Sequence, residues 1–475
     1  MSFVTRQGDG DWSFRLLGHS PSRDDTVTMK KARSSTLSPL SKLPLDIIVK
    51  ITFYITVGEN VLAFLKALSP SIELGPLDEL LNSKEEISQL WPRLNLWTDI
   101  SSYEAIAKYY SNVVIYRTED ADWFEKYLNP MASIEWFVEE FPKASQVYYQ
   151  FWKLRITRVN ICLRWQDERR FSCKNSLRRL AHVISSLCIG DDEYCDDNED
   201  DYHRIWHDLF EFAAKSDQLA ELQLFPENHS LTANDAANLI KWFQRGIAQV
   251  FEFKVGEFTN VLDEVGPDVE QFFYQAMFTS PLKRLKLSNW DFQHVDLTGI
   301  SFAMEALQLY NVDFASMEKV IRQLEGSKVK ELEIQEYADA RMCLERLLRL
   351  LPRTLITRLK LTEIDCSNIE WSALAPLFAE CHLEFLSVDF AKSIPPWVDT
   401  LIAAIQSNQT LCTLEFVWAN WTILGVEHLI RRIAYPRRPA KFKRLQLKAW
   451  NIKGAESLKA LAFDSGFDFV IVSIE

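Results

Sequence analysis

One pattern constrains this chain more than any other: apolar-x-x-apolar-x-apolar, which returns at regular intervals from about residue 156 to residue 475. The clear units are Leu219/Leu222/Leu224, Leu282/Leu285/Leu287, Met304/Leu307/Leu309, Val329/Leu332/Ile334, Ile356/Leu359/Leu361, Leu383/Leu386/Val388, Leu411/Leu414/Phe416 and Phe442/Leu445/Leu447. Weaker units fit at Ile156/Val159/Ile161, Ile184/Leu187/Ile189, Val250/Phe253/Val255 and Phe467/Val470/Val472. From Leu282 onward the starts lie 22 to 31 residues apart, room for one strand and one helix. Between them Met317, Val320, Ile321 and Leu324 share a helical face, as do Val398, Leu401, Ile402 and Ile405. A unit this small cannot bury its own apolar face, so neighbours must stack, and the expected fold is an α/β solenoid with parallel strands on the concave side and helices on the convex side.

These units resemble leucine-rich repeats of the ribonuclease-inhibitor-like kind over about two thirds of the chain. They depart from that pattern at the ninth position, where Trp290, Val312, Ile364 and Trp450 replace the usual asparagine or cysteine. Apolar filling of the turn is expected there. A doubly wound α/β domain would need Gly-rich loops at strand ends, and 14 glycines in 475 residues supply none of that form.

Ahead of the repeats, residues 1–36 mix Gly8, Gly10, Pro21, serines and both charge signs, which predicts a disordered tail. Structure is expected from Leu37. Pro44 suits a first helical turn, Asp46 meets the positive end of the helix dipole, and Ile47, Ile48, Ile51 and Ile55 follow at helical spacing. After a break at Gly58–Asn60, Val61, Leu62, Leu65 and Leu68 form a second stripe, and Leu77–Leu81 or Ile87–Leu90 could add a third element.

Leu43-Pro44-x-Asp46-Ile47 with Ile51, then Val61-Leu62-x-Phe64-Leu65-x-x-Leu68, resembles the first two helices of an F-box. The valine-cysteine pair and tryptophan that usually close that bundle are replaced by Ser69–Pro76 and a later Leu90-Trp91-Pro92. The resemblance implies a small F-box-like helical module over 37–100, a helical cap or linker over 101–155, and repeats over 156–475. It also implies a partner, the linker subunit of a cullin-RING ubiquitin ligase, docked by Leu43, Pro44, Ile47, Ile48, Ile51, Leu62 and Leu65. The chain would then be a substrate adaptor with its box N-terminal to its repeats. The other reading makes the same helices only a cap on a stand-alone scaffold or inhibitor, because a solenoid must cover the end of its core.

Composition narrows the function classes. Charges break every apolar stretch, Met1–Ser20 included, so neither a membrane span nor a secretory segment is expected, and eight scattered cysteines suit a reducing cytoplasm or nucleus. A net charge of −13 disfavours nucleic acid. No phosphate-binding G-x-x-x-x-G-K-[ST] loop and no G-x-S-x-G elbow occurs, so no enzyme activity and no cofactor is expected. His203-x-x-x-His207 lacks the glutamate of a zinc protease motif, Arg204 standing in its place, and is read as surface or packed histidine with no metal. The acidic run Asp191–Asp201 lacks the glycine and distal glutamate of a calcium loop and reads as a solvated insertion; the basic run Arg431–Arg444 reads as a solvated helix end.

Function is expected on the concave face, lined by the third, fifth and seventh positions of each unit. The candidate partner-binding residues are Arg284, Lys286, Gln308, Tyr310, Glu331, Glu333, Arg358, Lys360, Phe385, Asp389, Glu415, Arg444 and Lys448. Their charge sign alternates from repeat to repeat, a mosaic that suits a shaped protein surface.

Overall fold

The computed structural model describes residues 43–83, 87–96, 100–116, 121–138, 156–163, 181, 184–191, 199–226, 230–259, 262, 265–291, 293–337, 340–364, 370–389, 398–406, 408–417, 423–434, 442–449 and 455–473. The tail assigned to 1–36 lies outside them, as do Asp192–Asn198 within the acidic run and 435–441 within the basic run. The chain divides into two compact units, Met1–Phe137 and Val138–Glu475. Among the described residues no helix is long and apolar enough to cross a membrane.

The first unit begins with α1 (Leu45–Tyr54) and α2 (Gly58–Leu68). Ile48, Val49, Val61, Leu65 and Leu68 are buried, as their helical spacing requires. Short helices follow at Asp78–Asn82 and Ile87–Leu90. Trp91 then packs its ring 4.7 Å from Phe53 and donates from Nε1 to the Ile55 carbonyl at 2.6 Å. Tyr110 closes the cluster edge-on to Phe53 at 5.0 Å, its hydroxyl donating to Leu90 O at 2.6 Å. Gly75 has φ +56°, a left-handed backbone that favours glycine.

Parallel strands start earlier than the leucine spacing suggests. Three are paired in this unit: β1 (Leu94–Leu96), β2 (Asn112–Ile115) and β3 (Ser133–Val138), with Leu94 opposite Val113 and Val113 opposite Ile134. The segment expected as a helical cap or linker over 101–155 is therefore partly sheet. The same apolar spacing is present as Trp91/Leu94/Leu96, Tyr110/Val113/Ile115 and Met131/Ile134/Trp136, with large or flexible residues where later units have leucine or a close substitute.

In the second unit twelve described strands pair in strict chain order, all of them parallel. They are β4 (Ile156–Leu163), β5 (Ser186–Asp191), β6 (Glu221–Phe225), β7 (Val250–Thr259), β8 (Arg284–Trp290), β9 (Ala306–Tyr310), β10 (Glu331–Tyr337), β11 (Arg358–Ile364), β12 (Phe385–Asp389), β13 (Thr413–Val417), β14 (Arg444–Ala449) and β15 (Asp468–Ser473). Helices join most of them and pack on one another in sequence, beginning with Glu199–Lys215, Ala233–Gln244 and Pro267–Thr279. This is a repeating strand-helix α/β array, compatible with a solenoid. Between β8 and β9 the described residues form turns rather than a helix, and Val295, Leu297, Ile300 and Phe302 fill the core there.

The motif leucines face the helices. Leu222, Leu224, Leu285, Leu287, Leu307, Leu309, Leu332, Leu359, Leu386, Leu414 and Leu445 are all buried, and Phe243 of one helix meets Phe251 of β7 edge-on at 5.0 Å. Each such side chain contributes about 2 kcal/mol through removal from water. The ninth position is apolar and buried at Trp290 and Val312. The turn itself is made one residue earlier, where Asn289 and Asn311 take left-handed φ of 61° and 47°. Asn311 donates to Asn289 Oδ1 at 2.8 Å and Asn289 donates to the Val255 carbonyl at 2.5 Å, a short amide ladder shifted by one position.

Two units fall in a different register from their sequence alignment. Val250 lies opposite Glu221 and Arg284, so the unit of β7 starts at Ala248 and continues with Phe251 and Phe253, all buried, while Val250 is half-buried on the other face and Val255 is a further buried residue beyond them. In β15, Asp468 lies opposite Arg444 and Phe469 opposite Leu445, so buried Phe469 takes a core position, while Val470 and Ile471 are both half-buried. The one-residue slip in β15 exchanges the two faces of the strand, whereas the two-residue shift in β7 keeps them.

A second repeating feature precedes the strands: a buried polar residue two or three positions before the first motif residue, at Ser216, Ser280, Ser327, Thr354 and Asn408. Ser327 and Thr354 donate to the carbonyls of Leu324 and Leu351, and their oxygens accept from the backbone N–H groups of Val329 and Ile356. Asn408 does the most, donating to Phe378 O and Cys381 O and accepting from the amides of Thr410 and Leu411. We expect Asn408→Ala to lower unfolding stability by about 2 kcal/mol in urea titrations, because it orphans several buried backbone groups; a neutral result would show that this link carries no weight.

Candidate protein-binding site

Because the strands are parallel and in register, the third, fifth and seventh positions line up into rows across the sheet. The fifth-position row reads Asn160, Cys188, Gln223, Glu252, Lys286, Gln308, Glu333, Lys360, Ser387, Glu415 and Gln446 from β4 to β14. It contains no large apolar side chain. This is the face opposite the helices, and it is polar because its backbone is already satisfied by the ladder while its side chains meet water.

Glu333 organises the middle of the face. Its Oε2 accepts from Gln308 Nε2 at 2.9 Å and from Lys360 Nζ at 3.3 Å, and its Oε1 accepts from the Tyr310 hydroxyl at 3.0 Å. Only 13% of its side chain is exposed. Burial pushes the Tyr310 hydroxyl well above its ordinary value and the Glu333 carboxylate pushes it further, so the phenol remains a donor at neutral pH. Lys360 also reaches Glu331 at 3.6 Å, and Arg358 reaches the same carboxylate at 3.6 Å while stacking 4.2 Å from the Phe385 ring centroid. One strand pair away, Lys286 bridges Glu252 at 2.5 Å and lies 4.9 Å from the Tyr310 ring.

The alternating signs legible in the sequence are therefore cross-strand ion pairs. Such pairs contribute little to stability where water screens them, but here they hold long side chains in fixed positions, which lowers the entropy cost of binding a shaped partner.

The expected face residues do not all lie open. Arg284 and Arg358 are exposed, and Lys286, Gln308, Tyr310, Glu331, Glu333, Lys360 and Arg444 are half-buried. Phe385, Asp389 and Glu415 are buried; Glu415 accepts from Ser387 at 2.9 Å. These three build the face over β12 and β13 rather than offering themselves to a partner. Lys448 lies on β14, and its side chain is outside the described residues. Glu252 and Lys254 belong to the same face and were missed, because the core position before β7 is Ala248 and a search keyed on large apolar residues aligned that strand two positions off.

The docking residues expected in the N-terminal helices also separate. Pro44 and Ile47 are exposed, Leu43, Ile51 and Leu62 are half-buried, and Ile48 and Leu65 are buried. Leu45, Tyr54 and Val57, exposed by 37%, 73% and 45%, add apolar surface to this module that the stripe of isoleucines does not reveal. Tyr54 follows Ile47 by two helical turns and so shares its side of α1.

Neither histidine of the His203–His207 pair carries a metal argument. His207 Nδ1 lies 3.0 Å from Asp235 Oδ1, and Asp235 also accepts from the Thr232 backbone N–H in a capping box that starts the next helix. The His203 side chain is outside the described residues. Among the described residues no cluster of His, Cys, Asp and Glu could hold an ion.

No known protein-family model matches this chain, and no curated protein matches it.

The raised Tyr310 pKa has a sign that can be checked. A hydroxyl that holds its proton more tightly when folded contributes stability that is full below pH ~10 and is lost as the pH climbs toward the raised value. Alkaline unfolding curves should therefore fall less steeply above pH ~10 for Tyr310→Phe than for wild type. Identical slopes would contradict the Tyr310–Glu333 contact.

Proposed function

We propose that this protein is a binding adaptor without chemistry of its own, resembling F-box proteins with C-terminal leucine-rich repeats. In this reading the polar sheet face of β7–β11 holds a partner protein. The helices over Leu43–Leu68 dock the linker subunit of a cullin-RING ubiquitin ligase, which supplies the chemistry.

The observation that carries the docking half is the split within α1. Ile48 and Val49 point into the module, while Pro44, Leu45, Ile47 and Tyr54 leave apolar surface in water. A helix that only sealed a core would have no reason to keep that second face apolar, whereas a helix with a partner would. Chain order supports the same reading, since the helices precede the strand-helix array.

A second reading has its own support. Within the first unit the helices are tied to the start of β1 through Trp91 and its bond to Ile55, the construction of a cap on a repeat array. Here the chain is a scaffold or inhibitor with no ligase.

Pull-down with the linker subunit separates them. Wild type should retain it, and Pro44→Ala with Ile47→Asp should weaken retention at least tenfold, since burying one isoleucine side chain contributes about 2 kcal/mol. Ile47 is exposed, so this change should leave the fold intact. No retention by wild type, or retention unchanged in the variant, would remove the adaptor reading and leave the scaffold.

A further inference from the structure

The sheet face is charge-balanced from β9 to β11 and unbalanced at β7 and β8. Along β8, Arg284, Lys286 and Ser288 alternate onto the face, which sets the two cations about 6.6 Å apart. Lys254 of β7 stands opposite Ser288 in the ladder, extending the line. Lys286 is held by Glu252 and the Tyr310 ring. Arg284 and Lys254 are exposed and make no ion pair among the described residues. The reason lies in the register: Arg284 has Val250 on one side and Ala306 on the other, and Glu331, next along that row, is taken by Arg358 and Lys360.

In a chain with a net charge of −13, two exposed cations, Arg284 and Lys254, without an ion pair among the described residues and flanking the paired Lys286, are unexpected on solubility grounds alone. Their spacing matches that of alternate side chains on an extended peptide, about 6.6 Å. Ala306 presents only a methyl group beside Arg284, leaving room for an incoming side chain. Nucleic acid fits less well. A nucleic-acid backbone carries a charge at every residue and needs a wide basic surface, whereas among the described residues only three cations cluster here, in a chain with a net charge of −13.

We propose that Lys254, Arg284 and Lys286 recognise an extended acidic segment of the partner protein, with carboxylates at alternate positions. This rests on the reading that the sheet face holds a protein partner, and it names the chemistry of that partner.

The test uses the full chain and a short fluorescein-labelled peptide alternating Glu and Ser, read by fluorescence anisotropy at low and high salt. Wild type should bind it saturably and more weakly as salt rises, and should not bind the peptide with Gln in place of Glu. Lys254→Glu with Arg284→Glu should weaken binding about tenfold or more, the loss of two charge contacts compounded by repulsion. Arg284→Gln should weaken it partially, and Arg353→Glu, outside the strands, should not. No saturable binding by wild type, equal binding by the double variant, equal loss in Arg353→Glu, or tighter binding of a uridine oligonucleotide than of the peptide would each overturn the proposal. Loss of peptide binding in a chain that retains the linker subunit counts against this inference alone; peptide binding without the linker counts against the adaptor reading alone.

Discussion

Everything in the second unit depends on one constraint, the parallel in-register ladder. Its side-chain period of two puts Leu285, Leu287, Leu307 and Leu309 under the helices and Arg284, Lys286, Gln308 and Tyr310 on the opposite face in the same stroke. The buried core and the polar face are therefore not separate designs. Each buried leucine fixes the direction of its neighbours, and three of the polar residues that precede the strands tie one repeat to the one before it: Ser216 to the Ala181 carbonyl, Ser280 to that of Phe243, and Asn408 to those of Phe378 and Cys381.

Alignment of the rows is also what turns scattered charges into a surface. Glu333 finds Lys360 and Gln308 only because β9, β10 and β11 share a register, and Tyr310 reaches it from two residues farther along its strand. The same register leaves Arg284 between the uncharged Val250 and Ala306, without an ion pair among the described residues. Paired and unpaired charges on one face are thus two results of one geometry.

Much of this was legible in the sequence, and the exceptions have physical causes. The units from Leu282 to Leu447 were recognisable because leucine or a close substitute occupies the first, fourth and sixth positions, where close packing tolerates little else. Strand β7 was misaligned because Ala248 fills its first core position, and β15 because its run Phe469-Val470-Ile471-Val472 is apolar on both faces and carries no alternation to read. The strands of the first unit were missed because Trp91 and Tyr110 stand where leucine is usual, their bulk used in an aromatic cluster with Phe53. Phe385, Asp389 and Glu415 were expected open because position alone says which face a side chain takes and not what covers it.

The register of β15 tests the ladder most directly, since there the alignment by apolar pattern and the paired structure assign opposite faces to the same residues. Single cysteines at Phe469, Val470 and Gln446, in a background with native reactive thiols replaced, would be labelled with a maleimide under native conditions. Fast labelling at 446 and 470 with slow labelling at 469 is the result the ladder predicts. Fast labelling at 469 with slow labelling at 470 would contradict it, and with it the claim that one register sets both the core and the polar face.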